Sequence, residues 1–218
     1  MQALIFNLSM PRKKTIYSDK YPYHVTTRSN HKTWFQVDLK YVWKIALESL
    51  EIAHKKHFVS IHAFVLMNNH YHLVLSTPDA NIDKFMYEFN KNFSLKLRIK
   101  TKRVNRMFGG RYKWSLIKDI QHYYHVMKYV YLNPNKANIV QDATKYPFST
   151  LYIQKHERFF PTPLCPYMNT LSPDFLDWIH EKHTEEQNVC ITKGLQRTRF
   201  RFSGTRESRH PPSFKPYG

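Results

Sequence analysis

The most restrictive stretch of this chain is residues 57–78, HFVSIHAFVLMNNHYHLVLSTP. Two runs rich in branched and aromatic residues, 58–67 and 70–77, flank Asn68-Asn69, a pair that tolerates positive φ. The spacing predicts two strands joined by a tight turn. Earlier, YPYHVTTR at 21–28 alternates aromatic or branched residues with polar ones and reads as a first strand. After Gly109-Gly110, RYKWSLIK at 111–118 reads as a fourth. Three helices fall between and after these strands. Residues 38–54 carry Leu39, Val42, Trp43, Ala46, Leu47 and Leu50 at helical spacing, with Asp38 as N-cap. Residues 81–100 put Ile82, Phe85, Met86, Phe89, Phe93 and Leu97 on one stripe. A third helix, 119–132, stops at Asn133-Pro134. The order βαββαβ predicts an α+β, ferredoxin-like antiparallel sheet, with the first and third strands central and both helices on one face.

Charge points to a partner. Lys and Arg number 34 against 16 acids, a formal +18. A surplus of this size suits a polyanion, because each neutralised phosphate releases a condensed counterion. No apolar run approaches the roughly 20 residues that span a bilayer, so membrane partners are not expected. The opening MQALIFNLSM lacks a basic n-region, and Met10, which begins MPRKK, is an alternative start. Cys165 and Cys190 give neither a disulfide framework nor a zinc pattern. The expected setting is a reduced cytoplasm. The chain divides into an N-terminal arm (1–19), a main domain (20–155), a linker with one short helix (156–190) and a basic flexible tail (191–218). The tail holds seven Lys or Arg and one Glu.

Three features carry candidate chemistry. His70 and His72 are two apart on a strand, so their imidazoles project from one face and make half of a metal site. Taken alone, an HxH among 13 histidines is equally a pair of surface or hydrogen-bonded side chains. Tyr129 and Asn133 are four apart at the end of a helix, so a phenol and an amide oxygen share a face and can approach one ion. Taken alone, Tyr129 is helix packing, in a segment with three other tyrosines. Residues 84–118 contain eleven Lys or Arg and one acid, Glu88, interleaved with aromatics. Cations track a phosphate backbone while rings stack on unpaired bases, which favours single strands and makes Lys91, Arg98, Arg103 and Arg106 candidate DNA contacts.

These residues sit in segments that resemble the Y1 transposases of the HUH endonuclease superfamily, especially the REP-associated tyrosine transposases related to the IS200/IS605 group. FVLMNNHYHLVLSTP is similar to the family's M-x-N-H-x-H-L segment, FGGRYK to its F-x-G-R-Y element, and YVYLNPNKANIV to its Y-I-H-L-N-P-x-[RK]-A segment. YHVTTR with Asn30 and FMYEFNKNFS resemble its first strand and second helix, so the likeness covers about 20–150. Asn68 departs from the family, standing where proline is usual. The resemblance implies that His70 and His72 hold a divalent metal, Mg²⁺ or Mn²⁺, with Asn133 completing the set. It implies that Tyr129 is the nucleophile, forming a 5′-phosphotyrosine and freeing a 3′-OH. Arg111, Tyr112 and Lys113 would contact DNA or frame the site. The implied substrate is single-stranded or hairpin DNA beside repetitive palindromes, and the implied state is a monomer, with a homodimer as the other option. Two other readings remain open: a replication or relaxase-type nickase with the same chemistry, and a non-catalytic nucleic-acid-binding module on the same sheet.

Overall fold

In β1 (Tyr23–Arg28) every second side chain turns to the same face, and this alternation positions everything that follows. The computed structural model describes residues 14–204 and 210–218. After β1 come α1 (Leu39–Lys56), β2 (Ser60–Leu66), β3 (His70–Ser76), α2 (Ile82–Thr101), β4 (Lys113–Leu116) and α3 (Ile120–Tyr131). The strands form one antiparallel sheet in the order β2-β3-β1-β4, so the first and third strands are central, as the sequence predicts. The helix starts are capped as their residue types require. Asp38 accepts from the Lys40 N–H at 2.8 Å, and Asp119 from the His122 N–H at 2.8 Å. Each cap is worth about 1 kcal/mol.

The two faces of the sheet bury different material. Tyr23, Val25, Tyr71, Leu73 and Trp114 lie in one core with the α1 and α2 stripes. There Phe89 stacks on Phe93 with ring centroids 5.6 Å apart, and Tyr71 meets Phe89 edge-on at 5.3 Å. The opposite face belongs to α3, whose Val126 and Val130 pack with Val65 and Val74. Within β2 the pairing shifts between Ile61 and Ala63, which lets Ile61 and Phe64 both enter the first core while Ala63 and Val65 face the second. His62, at the irregularity, bonds the Tyr123 hydroxyl and Ser76 Oγ, each at 2.9 Å.

Beyond α3 the chain continues as α4 (Asn133–Lys136), α5 (Thr150–Lys155), α6 (Pro173–His180) and α7 (Glu185–Gly194). Here the structure corrects the expectation of a flexible arm over 191–218. Residues 191–194 end α7, whose start carries a Thr184–Gln187 capping box. Phe200 is buried, Phe202 stacks on Phe214 at 3.8 Å, and Tyr217 packs on Trp178 at 4.9 Å. The tail has few branched apolar residues, but aromatic rings supply its packing area instead. Its backbone also joins the sheet: the Leu116 N–H donates to Thr198 O, and the Phe200 N–H to Leu116 O at 2.8 Å. The proline-rich linker does likewise beside β2, where the Cys165 N–H donates to Ile61 O at 2.8 Å. Of the N-terminal arm, residues 1–13, with the Met10 start, lie outside the described residues. Residues just after them are tied down, with the Tyr17 hydroxyl donating to Asp83 at 3.2 Å.

Gly194 is where α7 meets this returning segment. A Cβ there would stand 2.5 Å from Arg201 O and 2.8 Å from the Phe200 ring. Gly194→Ala therefore forces the 199–203 segment outward, with an expected loss of about 1–3 kcal/mol. Urea unfolding and limited proteolysis of the C-terminal segment measure this; an unchanged midpoint would show that the segment yields freely.

Candidate active site

Register brings the site together. In the antiparallel pair β1–β3, Thr26 lies opposite His72 and Arg28 opposite His70, so these side chains share the face turned toward α3. His24, two residues before Thr26, points the same way, and its Nε2 lies 2.9 Å from His72 Nδ1. The His70 and His72 rings stand 5.1 Å apart, nearly perpendicular. From α3, the Tyr129 ring meets His72 edge-on at 5.8 Å. Thr192 of α7 donates to the Tyr129 phenol oxygen over a long 3.4 Å.

A cleft of about 610 Å³ opens at this point. His24, His72 and Tyr129 line it, with Thr192, Leu195 and Gln196 along one wall. Arg28, Lys32, Arg111 and Lys113 also line it, and among the described residues no carboxylate does. His70 and Asn133 do not line the cleft itself. His70 stands beside His72, and the Asn133 amide nitrogen donates to Tyr129 O at 2.8 Å.

Burial sets the protonation states. His24 is held down to about 3 by desolvation. His70 is held down to about 4, by burial first and by the Arg28 charge second. His72 lies well below the ordinary imidazole value, again through burial, with His24, His70 and Arg28 adding to it. All three are neutral at pH 7 and carry a lone pair. The Tyr129 phenol is pushed up by burial, against the opposing pull of Thr192 and Arg28. It is a protonated, weak nucleophile unless a further positive charge approaches.

The donor set suits a divalent metal in a specific way. His70 Nδ1 lies 2.6 Å from Asn69 Oδ1, which can only accept, so Nδ1 carries the hydrogen and Nε2 the lone pair. His24 stands to His72 Nδ1 as a second such partner. The Asn133 nitrogen is spent on backbone carbonyls, so its oxygen is the atom that could ligate. Among the described residues no group of three or more His, Cys, Asp or Glu is placed to hold a metal. The donors that could hold one are the two imidazoles, with the Asn133 amide oxygen as a further candidate.

The predicted DNA contacts divide between two cavities. Lys113 lines this cleft, Lys91, Arg106 and Tyr112 line a groove along α2, and Arg111 lines both. Arg103 is engaged with Thr33 Oγ1 at 3.3 Å, and Arg98 lines neither cavity. Sequence reasoning missed His24, Arg28, Thr192 and Lys136, whose Nζ lies 5.8 Å from the Tyr129 ring centroid. For His24 and Arg28 the signal was present: they alternate with Thr26 along a strand already expected beside the third, and only the register of that pair was unknown.

Fold and cleft together define an α+β domain of ferredoxin-like order whose central strands present imidazoles to a tyrosine on the following helix. No protein-family model matches the chain, and no curated protein matches it. Among solved structures it is similar to a REP-associated tyrosine transposase bound to a REP hairpin. That alignment has 18% identity, covers 73% of this chain and 94% of that one, and gives a TM-score of 0.57. The two proteins share a fold. A transposase candidate from Deinococcus radiodurans aligns at 14% identity over 56% of this chain and 95% of that one, with a TM-score of 0.37. No helix among the described residues is long and apolar enough to cross a membrane.

Because their pKa values lie below the unfolded 6.5, His24 and His70 stay neutral as pH falls and charge only near pH 3–4. Their ¹⁵N imidazole shifts are expected to hold from pH 7 to about pH 5. A titration midpoint near 6.5 for either would place that ring in water.

Proposed function

We propose that this protein nicks and rejoins single-stranded or hairpin DNA in the manner of a transposase, with Tyr129 as the nucleophile. The observation that carries the reading is the edge-on approach of the Tyr129 ring to His72 inside a cleft lined by cations and no acids. A phosphodiester fits this environment because Arg28, Lys32, Arg111 and Lys113 all line the cleft and offset its charge. The fold shared with a transposase bound to a REP hairpin supports DNA as the polyanion. A short sequence beside a repetitive palindrome is the proposed target.

In the proposed step the Tyr129 oxygen attacks phosphorus. A tyrosine–phosphate ester forms at the 5′ end, the P–O3′ bond breaks, and the proton lost by the phenol is balanced by one gained at the 3′ oxygen. One ester replaces another, so no external energy is consumed, and attack by a 3′-OH reverses the reaction. His70, His72 and the Asn133 oxygen would hold Mg²⁺ or Mn²⁺, which supplies positive charge at the phosphate and favours the phenolate. Imidazole ligands favour Mn²⁺ over Mg²⁺, the harder of the two. His24 and Asn69 fix the imidazole orientation, and Arg28 adds a charge that eases phenol ionisation.

Incubation with Mn²⁺ and a labelled hairpin oligonucleotide is expected to give a covalent adduct that survives SDS. Tyr129→Phe is expected to abolish the adduct, and His70→Ala to remove cleavage while binding changes by less than about threefold, since phosphate contacts are distributed. A wild-type protein that shifts the oligonucleotide but never becomes linked to it is a binding module. Retention of the adduct in Tyr129→Phe would move the nucleophile elsewhere.

His24→Ala isolates the orienting role. It is expected to weaken Mn²⁺ binding about 10–100-fold, read by electron paramagnetic resonance of the free ion. Unchanged Mn²⁺ affinity would mean that His72 needs no partner.

A further inference from the structure

On the opposite side of the sheet from the cleft, α2 and residues 106–112 enclose a groove of about 830 Å³. Lys84, Tyr87, Lys91 and Ser94 recur along α2 at helical spacing and form one wall. Arg106 and Arg111 stand on the other, and Met86 and Phe108 add apolar surface. Tyr87 is 63% exposed, with Lys91 Nζ 5.6 Å from its ring centroid. Four cations face a single acid, Asp83, which already accepts from the Tyr17 hydroxyl. An open ring beside cations that form no salt bridge among the described residues offers what a nucleotide needs, a stacking surface and phosphate neutralisation.

Two further observations connect this groove to the cleft. Gly110 and Arg111 line both cavities. Neither Gly109 nor Gly110 has the positive φ that would demand glycine, and a Cβ at Gly110 would meet nothing within 4 Å. Local backbone geometry therefore gives no reason for the pair. What the pair does provide is backbone without side chains where the two cavities share Gly110. The second link runs through the sheet. The Tyr71 hydroxyl, on the residue between His70 and His72, donates to Asn90 Oδ1 at 2.7 Å. Asn90 lines the groove, and with its oxygen accepting from Tyr71 its NH₂ is the group that can donate.

We infer that this groove is a second nucleotide subsite, holding an unpaired base of the DNA strand whose phosphodiester occupies the cleft, with the strand crossing at Gly109-Gly110. The inference rests on the proposed DNA-processing role. Tyr87 stacks on the base, Lys84, Lys91 and Arg106 neutralise its phosphates, and Asn90 selects bases that present an acceptor edge.

The experiment uses the full chain and hairpin oligonucleotides with single-stranded flanks of increasing length, with binding read by fluorescence anisotropy. Wild-type affinity is expected to rise with flank length. Tyr87→Ala, and separately Lys84→Glu, which puts an acid in the groove at an exposed position that does not line the cleft, are each expected to remove about tenfold of that gain while altering flankless binding by less than about twofold. The inference is overturned if flanks add nothing, or if both variants keep the gain, or if they weaken flanked and flankless hairpins equally. The Tyr129 adduct is scored on the same samples. Adducts with an insensitive flank gain refute the groove alone, sensitivity without adducts refutes the catalytic reading alone, and loss of both refutes the two together.

Discussion

The pairing of β1 with β3 is the constraint on which this structure turns. Each strand is amphipathic in its own way, and only one register sends Tyr23, Val25, Tyr71 and Leu73 into one core while His24, Thr26, Arg28, His70 and His72 share the other face. A slip by one residue would exchange the two sets, exposing Tyr71 to the α3 side and driving two imidazoles among phenylalanines. Packing of the α1–α2 side therefore enforces the geometry of the cleft. The aromatic column of Phe89, Phe93 and Tyr71 is a foundation for the histidines, although it never touches them from the same side.

Electrostatics in the cleft depend on how its buried groups are satisfied. Three imidazoles are close together and surrounded by fixed positive charge, an arrangement tolerable because each ring is neutral. Asn69 and His24 give two of those rings a hydrogen-bonded orientation. The tyrosine is held differently, on a separate helix: its ring is packed in the α3-side core beside His72, and its hydroxyl has a long contact with Thr192.

Much of this was legible in the sequence, for identifiable reasons. Caps at Asp38 and Asp119 and the period-two runs at 23–28, 60–66 and 70–76 are local signals, and local chemistry was enough to place them. The facing of His70 with His72 follows from strand geometry alone. His24 and Arg28 were not recoverable in the same way, because their roles depend on the register in which β1 pairs with β3, a non-local fact. The tail was misread because composition weighs branched aliphatic residues. Phe200, Phe202, Phe214 and Tyr217 achieve burial through spaced single rings, each anchored to a helix already in place. Likewise α7 has a weakly amphipathic sequence, and its position becomes clear only from Gly194 and Thr192 at either contact.

Backbone from the linker beside β2 and from the tail beside β4 occupies donors and acceptors that outer strands otherwise present to their surroundings. At those points a neighbouring molecule finds no open ladder on which to add a strand. Continuation of the sheet from one copy into the next is blocked there, and the high positive charge of the chain opposes the same association from a distance. Any encounter at those positions is made through side chains.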